Sequence, residues 1–199
     1  MGIMQGKKLH SLIPLLDFKA VLSVDDREES LSRYCLITAT YTIEQHCMRK
    51  LLEKKHFEQI DYTGDVLLPL KEYPVRKVFA VYVLGSGEIL EPEFYEIIPE
   101  CGTEDDLPFS ISISSALRRY RYLYPIKVVY AAGYATGQVP ADLASACLEL
   151  AAWNMARYRG RKIGVTGSMR GNGKNGECLE ASMPENVRHL LEPYRRKVI

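Results

Sequence analysis

The chain has 199 residues, 47% of them hydrophobic, with 26 Lys and Arg against 25 Asp and Glu for a formal net charge of +1. That length suits one core of ordinary size, or one domain with an ordered tail, and the balanced charge excludes a global electrostatic drive toward nucleic acid or membrane. No apolar run approaches the ~20 residues that a helical bilayer span needs.

The opening stretch, residues 1–16, reads as an arm. Its two lysines and short apolar run lack the sustained apolar core and small-residue cleavage site of a secretion signal. Asp17 to Leu22 reads as a short helix or turn. Ser23 or Asp25 then caps a long helix from Asp26 to about Lys54. Asp26, Glu28 and Glu29 lie in its first turn, and Arg49, Lys50, Lys54 and Lys55 lie near its end, an order that complements the helix dipole. Leu31, Tyr34, Thr38, Tyr41, Met48 and Leu52 follow near three-four spacing, with Cys35, Ile37, Ile43, Cys47 and Leu51 broadening the apolar face. Roughly 28 residues of helix would be about 42 Å long, which is long for a domain of this size.

From Phe57 the period changes. FEQIDYTG ends in a turn, and DVLLPLKEYPV supplies a short apolar strand flanked by prolines. Val75–Val83 is a second strand, Gly85-Ser86-Gly87 a hairpin-style turn and Phe94–Ile98 a third strand. Pro69 and Pro74 confine pairing at their positions to edges. A loop, CGTEDDLPF, precedes SISISSA and then RRYRYLY, residues 118–124.

Ile126 to Gly160 is the clearest stretch of the chain. Ile126, Val128 and Tyr130 alternate with Lys127, Val129 and Ala131, which predicts a strand with one buried face. Gly133 allows a positive φ and ends the strand near Tyr134. Pro140 suits the first turn of a helix, and Asp142 sits near the positive end of its dipole. Leu143, Cys147, Leu150, Ala151 and Tyr158 hold helical spacing, joined by Ala144, Leu148 and Met155 in a stripe rich in small residues. Arg157 and Arg159 fall in the last turn, and Gly160 stands where a C′ residue belongs. Five glycines then fall between Gly164 and Gly176, a composition that buries little apolar surface. Pro184 opens a last short helix with Val187, Leu190 and Leu191 on its apolar face; Pro193 interrupts it, and a basic end follows.

The fold class is therefore α+β: mostly helical, with a long N-terminal helix, a small central and mainly antiparallel sheet, a second main helix and a short C-terminal helix. The expected organisation is an arm over 1–16, a main domain over 17–160, a Gly-rich loop over 161–183 and a C-terminal helix with a basic tail over 184–199.

Motifs for chemistry are missing. The five cysteines, at 35, 47, 101, 147 and 178, never form a CxxC pair. Cys35, Cys47 and Cys147 fall in predicted helices, where a free thiol acts as a small hydrophobe. His46 and Cys47 are adjacent, and adjacent helical residues diverge by about 100°, so they do not grip one metal. Gly173-Lys174 is followed by Asn175 and lacks the earlier glycine of a phosphate loop, and Gly171-Asn172-Gly173 opens no helix. No serine sits in a GxSxG elbow. Glu104, Asp105 and Asp106 read as a solvated loop. No catalytic residue, cofactor-binding residue or metal ligand is assigned. RRYRYLY interleaves base and aromatic as single-strand nucleic-acid binders do, and also fits a strand with arginines and tyrosines on opposite faces.

In this order the pieces resemble the head–tail connector, or adaptor, proteins of tailed bacteriophages and prophages. The resemblance rests on DDREESLSRYCLITATYTIEQHCMRKL, on LLPLKEYPVRKVFAVYV, on IKVVYAAGYATGQVPADLASACLELAAWNMARYRG and on the close MPENVRHLLEPYRR. It covers about Asp17 to Lys197. It implies a virion head-completion protein forming a ring, commonly of twelve subunits, beneath the portal protein. Such a ring extends the channel through which double-stranded DNA passes and offers a platform to a stopper or tail-completion protein. It also implies a location at the virion neck, with host cytoplasm before assembly, no cofactor, no membrane and no enzymatic activity. Within that frame, portal contact is expected from Tyr194, Arg195, Arg196 and Lys197. Channel-facing charge is expected from Arg157, Arg159, Arg161 and Lys162, and a partner-contact loop from Gly164, Gly167, Gly171, Gly173 and Gly176. The alternative is a small nucleic-acid-binding module using the basic and aromatic segments; a cytoplasmic enzyme with a site assembled from scattered residues is a second rival.

Overall fold

The computed structural model describes residues 10–61, 67–98, 110–113, 125–135, 138–160 and 183–196. In chain order these form α1 (Leu15–Leu22), α2 (Glu29–Cys47), β1 (Lys54–Ile60), β2 (Leu67–Pro69), β3 (Val75–Val83), β4 (Ile89–Leu90), β5 (Tyr95–Ile98), β6 (Ser110–Ile113), β7 (Ile126–Ala132), α3 (Ala141–Arg159) and α4 (Glu185–Leu191). The class is α+β, as expected, with two small antiparallel sheets rather than one. The chain divides into two compact units. One comprises Met1–Met48 with Thr136–Ile199, the other Arg49–Ala135.

The first unit is helical. Asp25 accepts the Arg27 N–H at 3.3 Å and starts a 3-10 turn over Asp26–Glu28, from which α2 continues. The expected helix to Lys54 stops at Cys47, because Met48 turns left-handed at φ 56° and closes the last turn with its N–H on the Gln45 carbonyl. Apolar spacing runs on through Leu51 and Leu52, but their backbone is engaged elsewhere, as described below.

The buried face of α2 also differs from the expected one. Cys35, Leu36, Ala39, Ile43 and Cys47 point inward, while Tyr34, Tyr41 and Met48 are exposed. The reason is close approach. The opposing surface of α3 is built from Leu143, Ala146, Cys147, Leu150, Ala151 and Met155, and helix separation is set by side-chain size at the contact. Alanines and cysteines let the two helices come together, and tyrosines at the seam would hold them apart. Thr40 Oγ1 meets Cys147 Sγ at 3.8 Å across this seam and accepts the Leu12 N–H at 3.1 Å. Burial pushes the Cys147 thiol up to about 11, so it packs as a neutral side chain. The three described cysteines are buried and form no disulfide with one another.

Pro140 sits just ahead of α3, and its carbonyl accepts the Ala144 N–H at 2.9 Å. Gly160 follows the helix at φ −73°, so its place there uses no left-handed conformation. Phe18 anchors α1, and Val187 and Leu191 anchor α4. Each large apolar side chain so buried contributes about 1.5–3 kcal/mol.

The second unit holds both sheets, ordered β1-β7-β3-β4 and β2-β6-β5. β7 lies between β1 and β3; Val128 and Tyr130 belong to the core, and on the other face the small side chains of Val129 and Ala131 are buried beside Phe57, Lys55 and Lys77 of the flanking strands. β1 was not anticipated: Lys54 and Lys55 are strand residues and not a helix end. Pro69 closes β2, an edge strand, where a missing N–H breaks no ladder. Leu68, Val81, Val83, Ile111, Ile126, Val128 and Tyr130 belong to one core shared by the two sheets. Residues 118–124 lie outside the described segments.

Gly133 fixes the path after β7. Its φ is 109°, and an added Cβ would lie 2.6 Å from the Leu52 carbonyl carbon. This close passage lets Tyr134 N–H reach the Leu51 carbonyl at 2.7 Å and the Glu53 N–H reach the Tyr134 carbonyl at 3.0 Å. Those two bonds claim the backbone that the helical pattern had reserved for α2. Next to them, Arg49 is buried, with its guanidinium 3.8 Å from the Tyr73 ring centre and Nη1 donating to the Tyr73 carbonyl at 2.7 Å. A polar network lies inside the sheet. Tyr130 donates to Glu58 Oε2 at 2.9 Å, which also accepts the Lys71 N–H at 3.0 Å, and the Glu72 N–H reaches Tyr130 Oη at 3.2 Å. Burial, with the Glu58 charge, pushes the Tyr130 hydroxyl far above its ordinary range.

Candidate functional site on the exposed surfaces

Among the described residues no three His, Cys, Asp or Glu side chains cluster to hold a metal ion, and no helix is long and apolar enough to cross a membrane. What can act on a partner is surface, and each unit has a distinctive one.

In the helical unit, the C-terminal segment is built in. α4 passes into a 3-10 turn over Glu192–Tyr194, where Pro193 is tolerated because a first-turn N–H has no helical partner. Tyr194 is buried, and its hydroxyl donates to Asp142 at the start of α3. The Arg196 N–H donates to the Cys47 carbonyl at 2.8 Å, which satisfies an end carbonyl of α2. Arg195 is exposed and pairs with Glu192 at 3.4 Å. Tyr194 is thus an internal strut, while Arg195 presents charge outward. Burial lowers the His46 pKa, and nearby Arg195 and Arg188 lower it further against the pull of Glu192.

The two described channel candidates have partners. Arg157 stacks over Trp153, 4.5 Å from the ring centre. Arg159 forms a two-pronged pair with Glu28, with Nε to Oε1 at 3.0 Å, so α3 ends against the entry to α2 and that charge is balanced locally. Lys197, Arg161, Lys162, Gly164, Gly167, Gly171, Gly173 and Gly176 lie outside the described residues.

The sheet unit carries a surface that the sequence reading missed. On the open face of the four-stranded sheet, Lys55 and Phe57 of β1 stand beside Lys127 of β7 and Lys77 and Phe79 of β3. The Lys55 ammonium lies 5.0 Å from the Phe79 ring centre and 5.6 Å from that of Phe57; Lys77 is 5.6 Å from Phe79, and Lys127 5.7 Å from Phe57. Phe57 is 65% exposed and Phe79 47%. A register shift between Val78 and Ala80 leaves Phe79 without a directly paired residue on β7. The signal was present twice as Lys-x-Phe, at Lys55-His56-Phe57 and Lys77-Val78-Phe79. Period two places both members on one side only once both segments are known to be strands.

No family model matches the sequence, and no curated protein matches it. Solved structures do match in fold. A chain in the neck of the empty GTA particle, computed with C6 symmetry, aligns at TM-score 0.59 and 18% identity over 100% of this chain and 97% of its own. A chain in the neck of the native GTA particle, computed with C12 symmetry, aligns at TM-score 0.57 and 18% identity over the same shares. A chain in the virion of the native gene transfer agent particle aligns at TM-score 0.60 and 17% identity, over 94% of this chain and 91% of its own. The fold of this chain is therefore similar to that of chains in gene-transfer-agent particles, two of them in the particle neck.

Proposed function

We propose that this chain is a structural neck protein of a tailed-phage-like particle, and not an enzyme. Twelve copies form a ring beneath the portal, join capsid to tail and extend the channel through which double-stranded DNA passes. The supporting observation is the fold likeness to particle-neck chains over 100% of this chain and 97% of theirs. Exposed Tyr41 on α2 and Met48 just after it, together with the aromatic face of the sheet, fit a subunit that buries more surface in an assembly. The test is mass in solution at rising concentration, with negative-stain images of the same samples. Rings with a central hole are expected; a monomer at every concentration and on immobilised portal overturns the reading.

The finer roles divide the C-terminal segment. Tyr194 holds the segment to α3, and Arg195, Arg196 and Lys197 make the charged contact with the portal. Replacing those three cations by Ser keeps the Tyr194–Asp142 bond and should abolish capture by immobilised portal; unchanged capture removes the assignment. Arg157, Arg159, Arg161 and Lys162 face the DNA, and their joint replacement by Ser should lower DNA retention in assembled particles. The Gly-rich loop, with Gly164, Gly167, Gly171, Gly173 and Gly176, contacts the stopper or tail-completion protein. Its deletion should spare the ring and prevent stopper binding. Subunits await assembly in the host cytoplasm.

A further inference from the structure

The four-stranded sheet is electrically lopsided. Across β1, β7 and β3 the open face carries Lys55, Lys127 and Lys77 around Phe57 and Phe79, and no carboxylate pairs with these lysines among the described residues. β4, paired with β3, forms one edge of the same sheet. There the sequence from Leu84 to Glu93 contains Glu88, Glu91 and Glu93 and no Lys or Arg. All three glutamates are exposed, and beside them Ile89 is 60% exposed and Leu84 42%. Tyr82 pairs with Ile89 on one side and Lys127 on the other, so Ile89 belongs to the same open face as the lysines. The body of the face is thus apolar and basic, and its β4 edge apolar and acidic. A groove of about 690 Å³ is lined by Lys77 and Phe79 of the basic face together with Pro92, Tyr95 and Glu96.

We propose that the occupant of the basic-aromatic face is the β4 edge of a second copy of this chain. Ile89 and Leu84 pack against Phe57 and Phe79, and Glu88, Glu91 and Glu93 meet Lys55, Lys77 and Lys127. The two surfaces are different, so a contact that sets the face of one copy against the β4 edge of the next is head to tail, the type that generates a ring when the rotation closes. Three ammonium groups and two exposed rings on a single face ask for a partner that is both anionic and apolar, and the β4 edge has both properties. The inference rests on the ring reading above and supplies its interface.

The test is a charge exchange followed by light scattering and native mass spectrometry. Lys55→Glu/Lys77→Glu/Lys127→Glu and Glu88→Lys/Glu91→Lys/Glu93→Lys should each weaken self-association at least ~100-fold, the scale of like charges brought together. Mixing the two variants, or combining all six changes in one chain, should restore assembly. Lys127 is half-buried, so the pair Lys55→Glu/Lys77→Glu, both at exposed positions, is the variant to use if the triple change fails to fold. Rings from either single-sided variant, at wild-type concentration, overturn this interface and leave the ring reading standing. Open chains instead of rings, abolished by the same variants, keep the interface and remove the ring. Loss of single-stranded DNA binding in the lysine variant, with its rings intact, assigns the face to nucleic acid and overturns the proposal.

Discussion

The helical unit and the sheet unit solve the same problem, holding distant segments together, in different ways. In the helical unit the seam is made of small side chains, and the polar ties between its segments include Thr40 with Leu12, Tyr194 with Asp142, Asn186 with Glu149, Arg159 with Glu28 and the Arg196 N–H with the Cys47 carbonyl. In the sheet unit the ties are dense and partly buried, running through Arg49, Glu58, Glu72, Tyr130 and the backbone around Gly133. Close packing tolerates the loss of one polar tie better than a buried network does, because an orphaned carboxylate has no water to turn to. The comparison therefore predicts unequal sensitivity. It can be read separately in the two units, since Trp153, the single tryptophan, belongs to the helical one.

Gly133→Ala should have the largest effect. Backbone strain at a positive φ costs about 1–3 kcal/mol, and the collision with Leu52 and Glu53 adds to it. Chemical denaturation followed by circular dichroism should show strand structure lost before Trp153 fluorescence changes; coincident transitions would show that the two units unfold as one. Tyr130→Phe comes next. It leaves the buried Glu58 carboxylate without its hydroxyl donor, a loss of about 1–3 kcal/mol, again within the strand signal. Thr40→Val keeps the shape of the helical seam but orphans the Leu12 N–H, for about 1 kcal/mol. Hydrogen exchange at Leu12 should accelerate while the sheet amides stay unchanged. If Thr40→Val proves as costly as Tyr130→Phe, the contrast between the units fails.

The smallest effect concerns pH. Burial lowers the pKa of both His46, in the helical unit, and His56, in the sheet unit, below the ordinary value of 6.5. The folded state thus favours neutral imidazoles. Their contribution to stability is fully present above pH 6.5 and declines as pH falls below it toward the folded-state values. Melting temperature should drop over that interval, and His46→Gln/His56→Gln should flatten the slope. A slope unchanged by both substitutions would place the titrating groups elsewhere.

How much the sequence revealed varies along the chain with the range of the forces involved. The strand–glycine–helix unit from Ile126 to Arg159 was legible because each of its signals is local: period two in β7, positive φ at Gly133, Pro140 and Asp142 at the helix start, and small residues at helical spacing in α3. The end of α2 was not legible. Met48 offers no glycine signal, and the apolar period continues through Leu51 and Leu52. What stops the helix is a backbone pairing with Tyr134, more than eighty positions away. The face of α2 was misjudged for the same reason, since Tyr34 and Tyr41 are apolar enough for a core, and only the close approach of α3 excludes them. The candidate surfaces divide similarly. The basic tail announced itself as a charge run, yet the role of Tyr194 as a strut depends on Asp142, fifty-two positions earlier.

By itself, then, the sequence determined the α+β class, the strand–turn–helix unit, the absence of recognisable catalytic motifs and the connector-like order of segments, because local conformational preference and composition decide those. Tertiary structure decided where α2 ends, which of its faces is buried, and that Lys55, Phe57, Lys77, Phe79 and Lys127 form one surface. Those outcomes depend on which distant strands and helices compete for the same backbone groups and the same contact area. No local pattern encodes that competition.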